Sequence, residues 1–207
     1  RCIPWFPKRK RNKFLKDVKP FVEEVCKEKT NAVMEMANKI YKKLESESVA
    51  ESEELKIHSR GRIYPGIAVF KALIDSGLDR DSAANVIHKY YMSESKKAEK
   101  FIKTILLIPG FYRKVPRLAY KATTKNFGEM AGFKANFLIT TEKELRFDML
   151  ECPYFKLCKE HDCLEIVTAY CDADDICYGN IHKKLIWNRT KTLGRGDDCC
   201  DFHIKIQ

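Results

Sequence analysis

The sequence predicts an α+β protein, in which a helical N-terminal half packs on a small antiparallel sheet. Apolar residues recur at intervals of three and four through most of residues 18–107, which is the spacing of the buried face of a helix. From residue 133 onward, apolar residues instead alternate along two pairs of segments, as in antiparallel strands. The 207 residues suffice for one domain, or one and a half, with a sizeable core.

Four amphipathic helices are expected in the helical half. Gly77 and Pro109-Gly110 are expected to end the second and the fourth, because glycine and proline interrupt helices. The polar stretch of residues 46–60 is interpreted as the end of the first helix and a linker. The helices are expected at Val18 to Leu44, at Ile67 to Asp75, from a cap at Asp79 or Asp81 as far as Tyr91, and at Ser95 to Leu107.

Two β-hairpins with two helices between them are expected in the C-terminal half, which gives the order β-β-α-α-β-β. Gly194 and Gly196 supply the turn of the second hairpin. The alternating segments are residues 137–139, 145–149, 185–189 and 200–206, and the two helices are expected at residues 153–160 and 164–178.

Charge is unevenly distributed along the chain. Lys and Arg outnumber Asp and Glu by 39 to 29, and the first sixteen residues contain seven basic residues and no acidic one. Residues 1–16 are therefore interpreted as a basic tail, solvated or in weak contact with an anionic membrane surface. Residues 17–60 follow as the long helix and linker, and residues 61–207 as the domain that carries the chemistry. Because the sequence starts at Arg1, a leader or anchor upstream is left open.

Several classes of protein are not expected. No stretch without charged residues is long enough to cross a bilayer. No helix-turn-helix and no phosphate-binding loop predicts a nucleic-acid partner. Seven of the nine cysteines follow residue 150, the total is odd, and the chain is long for a secreted disulfide scaffold. We therefore expect a reducing, cytoplasmic setting. Homo-oligomerisation is left open.

The cysteines also raise the question of a metal. No C-x-x-C pair occurs, and the adjacent Cys199 and Cys200 are poorly suited to one tetrahedral centre. No cofactor is therefore expected, and a zinc site assembled in space is kept as an alternative.

Reactive side chains converge in the last 56 residues. On the predicted helix, Cys171, Asp174 and Tyr178 share a face with Asp175, so a thiol, carboxylates and a phenol point the same way. On the last strand, Cys200 is expected on the opposite face from Asp201. We expect a pocket between this helix and the hairpin of residues 189–202.

The C-terminal motifs resemble the signature of the L-2-amino-thiazoline-4-carboxylic acid hydrolase family. The resemblance covers roughly residues 60–207, although its helical half is less specific. The matching strings are Cys152-Pro153-Tyr154, Cys158, Cys163, Cys171-Asp172-Ala173-Asp174, Arg189-Thr190-Lys191-Thr192-Leu193, Gly196-Asp197-Asp198-Cys199-Cys200-Asp201-Phe202 and, upstream, residues 70–84 and 108–110.

The resemblance implies hydrolysis of a small cyclic amidine, a thiazoline carboxylate, at a non-peptide C–N bond to give a carbamoyl-cysteine. Such chemistry needs a base or nucleophile and an acid for the departing atom. Asp174 or Asp201 is expected as base, and Cys171 or Cys200 as a possible nucleophile. The expected substrate-binding residues are Arg189, which would clamp the substrate carboxylate, with Tyr178, Cys152 and Tyr154.

Other interpretations of these residues remain open. The cysteines can be small buried apolar residues, Asp201 can satisfy backbone donors after the turn, and Arg189 can form a cross-strand ion pair. Direct attack by water and a covalent intermediate are both possible. The alternative function is a non-enzymatic small-molecule, redox or metal-sensing domain.

Overall fold

The protein is α+β, as the sequence predicts, with eight α-helices and one four-stranded antiparallel sheet among the residues described. The structure is a computed structural model that describes residues 13–207, so most of the expected basic tail lies outside the described residues. These residues form two compact units. The helical unit comprises residues 13–91 and Pro153–Tyr170, and the sheet unit comprises Met92–Cys152 and Cys171–Gln207.

The helices differ in length from a single turn and a half to more than seven turns. They are α1 Lys13–Cys26, α2 Thr30–Glu47, α3 Glu53–His58, α4 Tyr64–Asp75, α5 Arg80–Leu106, α6 Val115–Asn126, α7 Pro153–Glu160 and α8 Val167–Tyr178. In the part of the chain that the structure describes, none is long and apolar enough to cross a membrane.

The prediction of a single helix from Val18 to Leu44 is wrong, because the chain forms two helices, α1 and α2, with a short 3₁₀ turn between them. Lys27 has a φ of 46°, in the left-handed region that a right-handed helix cannot contain. Buried positions continue across the break at Val22, Cys26 and Thr30, so the apolar spacing gives no sign of it. The domain boundaries proposed from the sequence stay predictions.

The expected linker of residues 46–60 is also partly helical. Ser52 caps α3, and its Oγ accepts a hydrogen bond from the Leu55 amide at 3.0 Å. A π-helical turn, Ser59–Ile63, then joins α3 to α4. Helix α4 ends as expected, with Gly77 at a φ of 103° and the Leu78 amide donating back to the Leu73 carbonyl.

The two helices expected at residues 79–91 and 95–107 are one, α5. Asp79 caps it, since its Oδ1 accepts a hydrogen bond from the Ser82 amide at 2.8 Å. Residues 92–94 contain neither glycine nor proline, so nothing in the backbone chemistry ends the helix there. Gly110, at a φ of 76°, lies in the turn after the helix, as the sequence predicts.

The C-terminal half confirms the predicted hairpins and the order β-β-α-α-β-β, in which helix α7 belongs to the helical unit. Across the sheet the order is β1-β2-β4-β3, so the two hairpins meet through β2 and β4. Phe147 faces Phe202 across this junction, and their rings stack at 4.9 Å. The strands are β1 Lys134–Thr140, β2 Glu144–Glu151, β3 Leu185–Asn188 and β4 Cys200–Ile206.

Candidate functional site

A buried arginine joins helix α8 to the end of strand β3 within the sheet unit. The Nη2 of Arg189 donates to the Cys171 carbonyl at 2.7 Å and to Asp175 Oδ2 at 2.6 Å. Its Nη1 lies 3.6 Å from Asp174 Oδ2. Arg189 therefore contacts the face of α8 on which the sequence predicts a thiol and carboxylates. We call these four residues the Arg189 cluster.

The Arg189 side chain is only 1% exposed, so the protein must compensate its charge internally. Burial lowers the pKa of Arg189, but the carboxylates of Asp174 and Asp175 outweigh burial and raise it, which keeps the guanidinium charged. The guanidinium carbon also lies 5.2 Å from the centre of the Phe202 ring. One cation beside two carboxylates gives the cluster a negative balance of charge.

The two carboxylates of the cluster are held differently. Asp175 uses both oxygens, since Oδ1 accepts a hydrogen bond from Trp187 Nε1 at 3.0 Å and Oδ2 accepts from Arg189. The Asp174 side chain is 28% exposed and that of Asp175 is 43% exposed, and the 3.6 Å between Asp174 Oδ2 and Arg189 Nη1 is too long for a hydrogen bond. Asp175 is thus the carboxylate that anchors Arg189 by a hydrogen bond, and Asp174 lies at a longer distance from the same guanidinium.

Arg189 also has an unused donor. Its Nε is buried and has no hydrogen-bond partner. Leaving such a donor unsatisfied costs about 1–3 kcal/mol, so a buried N–H of this kind calls for an explanation. An additional acceptor next to Arg189 would remove this cost.

The Cys171 and Cys200 thiols are part of the same environment. Burial raises the pKa of Cys171 well above its ordinary value, and the proximity of Cys200 raises it further. Burial also raises the pKa of Cys200 to about 11, although the Leu193 amide donates to its Sγ at 3.3 Å. Neither cysteine is in a disulfide. Both side chains are therefore neutral thiols at physiological pH.

Asp201, on β4, binds the backbone that follows Arg189. Its Oδ1 accepts hydrogen bonds from the Thr190 and Lys191 amides at 2.8 and 2.6 Å, and Oδ2 accepts from Thr190 Oγ1 at 2.7 Å. Burial raises the pKa of Asp201, but the hydrogen bonds from Thr190 and Lys191 outweigh it and lower the pKa. The sequence left open that Asp201 only satisfies backbone donors after the turn, and these hydrogen bonds match that alternative. A catalytic role for Asp201 stays a prediction.

Further contacts hold the chain between β3 and β4. Asp197 Oδ2 accepts a hydrogen bond from the Thr192 amide at 2.7 Å, and Lys191 pairs with Asp198 at 2.9 Å. Arg195 forms an ion pair with Asp172 on α8. The loop after Arg189 is thus fixed at both ends and attached to the helix that carries the cluster.

Two of the expected binding residues lie in the same unit. The Tyr178 ring is buried and packs 5.2 Å from the Trp187 ring. Cys152 is half-buried and close enough for its charge to raise the pKa of Cys171. Their roles in binding stay predictions.

Tyr154 belongs to the helical unit, where it is surrounded by polar and aromatic side chains. Its hydroxyl lies 3.2 Å from His58 Nδ1 and accepts a hydrogen bond from Arg62 Nη1 at 3.4 Å. The Tyr154 ring packs 4.8 Å from the Tyr170 ring. Sequence reasoning missed His58 and Arg62, because it treated residues 46–60 as a linker and predicted neither the end of α3, which carries His58, nor the π-helical turn, which carries Arg62. The sequence offered only a histidine within a polar stretch, and its burial is visible only in the structure.

No metal site was found in the part of the chain that the structure describes. Residues 13–207 contain no group of three or more His, Cys, Asp or Glu side chains placed to hold a metal ion. The expectation of no cofactor, with zinc as its alternative, stays a prediction.

Residues 56–204, well over half of the chain, match the family model described as L-2-amino-thiazoline-4-carboxylic acid hydrolase. The matched segment includes the Arg189 cluster, Cys200, Asp201 and Tyr154. No curated protein and no solved structure gave a significant match.

Proposed function

The protein belongs to the L-2-amino-thiazoline-4-carboxylic acid hydrolase family, and from that premise we propose that it hydrolyses a small cyclic amidine bearing a carboxylate. L-2-amino-thiazoline-4-carboxylate is the substrate to test first. The observation that carries the proposal is the buried Arg189, which has an unused Nε donor and lies between the carboxylates of Asp174 and Asp175.

The cluster matches the two charges of such a substrate. A carboxylate on the ring would accept a hydrogen bond from Arg189 Nε and remove the cost of an unsatisfied donor. A protonated amidine is a cation, and the negative balance of Arg189, Asp174 and Asp175 favours it. The amidine carbon would then lie beside Asp174.

Asp174 is the proposed general base. It removes a proton from a water molecule while the water oxygen bonds to the amidine carbon, and the ring C–N bond then breaks. The proton passes from Asp174 to the departing nitrogen, which becomes the amine of a cysteine, and the added hydroxyl releases its proton to solvent as the carbonyl forms. The carbamoyl group stays on sulfur, and one water is consumed for each ring opened.

Direct attack by water is favoured over attack by a thiol. The thiolate is the nucleophilic form of cysteine, and burial raises the pKa of both Cys171 and Cys200. With the pKa of Cys200 at about 11, only roughly one molecule in ten thousand has this thiolate at pH 7. We therefore assign the thiols to the lining of the site.

The test is turnover of L-2-amino-thiazoline-4-carboxylate by the purified protein, followed by the mass of the product and by its new amine. The Asp174→Asn variant should lose roughly 10²–10⁴-fold in kcat, the usual contribution of a general base. Asp162→Asn is the matched control, since Asp162 is an aspartate of the helical unit that is 90% exposed. Full activity of Asp174→Asn would refute the assignment. Binding without turnover by the unchanged protein would instead favour the non-enzymatic ligand domain.

A further inference from the structure

The end of helix α5 and the turn after it expose three large apolar side chains. Leu107 is 80% exposed, Ile108 is 54% exposed and Phe101, in the last turns of the helix, is 62% exposed. Among residues 13–207, Leu107 and Ile108 are the only exposed large apolar residues that are adjacent in sequence. Single exposed leucines are common, but a group of them indicates a surface that contacts another apolar phase.

Hydrogen bonds hold this turn in one shape. The Leu107 amide donates to the Thr104 carbonyl at 3.3 Å, and the Ile108 amide donates to the Ile105 carbonyl at 3.2 Å. The Phe111 amide donates back to the Ile108 carbonyl at 3.1 Å. The two aliphatic side chains are thus presented by an ordered turn of the sheet unit.

Basic side chains surround the aromatic residues that follow the turn. Arg113 and Lys184 lie 5.8 and 5.6 Å from the centre of the Tyr112 ring, and Lys114 lies 5.8 Å from that of Phe111. Residues 100–128 contain seven basic residues and no acidic one. The apolar turn therefore lies within a strongly cationic stretch of the chain.

We propose that this surface docks the protein on an anionic phospholipid bilayer. Leu107 and Ile108 enter the boundary between headgroups and acyl chains, and Arg113, Lys114 and Lys184 contact the lipid phosphates and carboxylates. This interaction is independent of the hydrolysis proposed above and involves the turn, not residues 1–16.

The side chains favour lipid over a single-stranded nucleic acid as the anionic partner. Such nucleic acids are bound by aromatic rings that stack on bases. The two exposed apolar side chains of the turn, Leu107 and Ile108, are aliphatic, and the Tyr112 ring already stacks on the His182 ring at 4.6 Å and 12°. Aliphatic side chains beside cations match the chemistry of an anionic membrane surface.

The first test compares binding to sedimented vesicles of phosphatidylserine and phosphatidylcholine with binding to vesicles of phosphatidylcholine alone. The full chain should bind the anionic vesicles more tightly, and added salt should weaken the binding. Replacing Leu107→Ser together with Ile108→Ser should lower the partition coefficient roughly tenfold or more, since two aliphatic side chains no longer enter the lipid. Val49→Ser is the control, because Val49 is 69% exposed outside this surface.

The second test removes charge. Arg113→Gln with Lys114→Gln should weaken binding by roughly fivefold for each cation, the equivalent of about 1 kcal/mol each. Lys39→Gln with Lys42→Gln changes the net charge equally at two exposed lysines of α2 and should cost much less. Both surface variants must retain the circular dichroism spectrum of the unchanged chain. The proposal would be overturned if the surface variants bound anionic vesicles as tightly as the control variants do, or if the unchanged chain bound neutral vesicles equally well. It would also be overturned if the surface variants lost binding to a single-stranded RNA but kept their binding to vesicles.

Discussion

Arg80 in the helical unit and Arg189 in the sheet unit have the same kinds of partner and very different surroundings. Arg80 donates to Glu165 at 3.0 Å, to Asp162 at 3.2 Å and to the Asp162 carbonyl at 2.6 Å, and it lies 5.5 Å from the Phe70 ring. Arg189 likewise combines two acidic residues, one carbonyl and one phenylalanine ring. The Arg80 side chain, however, is 42% exposed, and that of Arg189 is 1% exposed.

This difference decides what each pairing does. Water shares the solvation of Arg80, so its ion pairs are weak and replaceable. Arg189 has little access to water, so its charge depends on Asp174, Asp175 and the Cys171 carbonyl. Arg189, a buried charge with an unused donor, is suited to binding an anion. Arg80, which is exposed and pairs with two acidic residues, is suited to holding two segments of the helical unit together.

The largest expected effect is loss of the buried cation. Arg189→Met should lower the free energy of unfolding by about 3 kcal/mol, because two adjacent carboxylates lose the charge that compensates them. Arg80→Met is the matched change at the exposed site and should cause only a small shift in melting temperature. Urea unfolding of both variants measures the difference. Equal losses would mean that burial does not separate the two sites.

The second prediction concerns pH. Burial raises the pKa of Cys200 to about 11, so the folded state favours its neutral thiol. The resulting stability is present below the pKa of the unfolded thiol and is lost as pH rises through about 11. Unfolding measured from pH 8 to 11 should show a fall of about 2–3 kcal/mol that Cys200→Ala reduces. Cys26→Ala, which leaves Cys200 unchanged, should retain the fall, and an identical slope in both variants would contradict the account.

The third prediction tests the anchor of Arg189. Asp175→Asn removes the charge that accepts from Arg189 Nη2, and it should lower the free energy of unfolding by about 2 kcal/mol, as for other hydrogen bonds to charged groups. Asp162→Asn changes an aspartate of the exposed Arg80 site, which is 90% exposed, and should leave the melting curve nearly unchanged. The comparison of Arg80 with Arg189 would fail if Asp162→Asn were the more damaging variant.

The smallest effect is expected at the loop. Arg80 is the first residue of a helix, but Arg189 follows a strand, so its position depends on the Thr190 and Lys191 contacts of Asp201. Asp201→Ala should lower the free energy of unfolding by about 1 kcal/mol and reduce kcat more than it raises KM. Asp201→Asn, which keeps an acceptor, should recover part of kcat. Loss of all activity in both variants would favour Asp201 as a catalytic base.

Much of the sheet unit could be predicted because its signals are local. Alternating apolar residues predicted the four strands. Helical spacing placed Cys171, Asp174 and Asp175 on one helix face, and the pleat of the last strand placed Cys200 and Asp201 on opposite faces. The break at Lys27 and the fusion of two expected helices into α5 were missed, since backbone conformation and missing stop signals outweigh apolar spacing. The division of roles between Asp174 and Asp175 was also out of reach, because it depends on where Arg189 and Trp187 lie in three dimensions.

The most direct test of the central claim compares two sets of variants in the ring opening of L-2-amino-thiazoline-4-carboxylate. The claim is that Asp174 activates water beside the buried Arg189 and that no thiol attacks. The Cys171→Ala and Cys200→Ala double variant should then retain kcat within about tenfold, and Asp174→Asn should lose roughly 10²–10⁴-fold. Inactivity of the cysteine variant while Asp174→Asn remains active would contradict the claim and assign the reaction to a thiol.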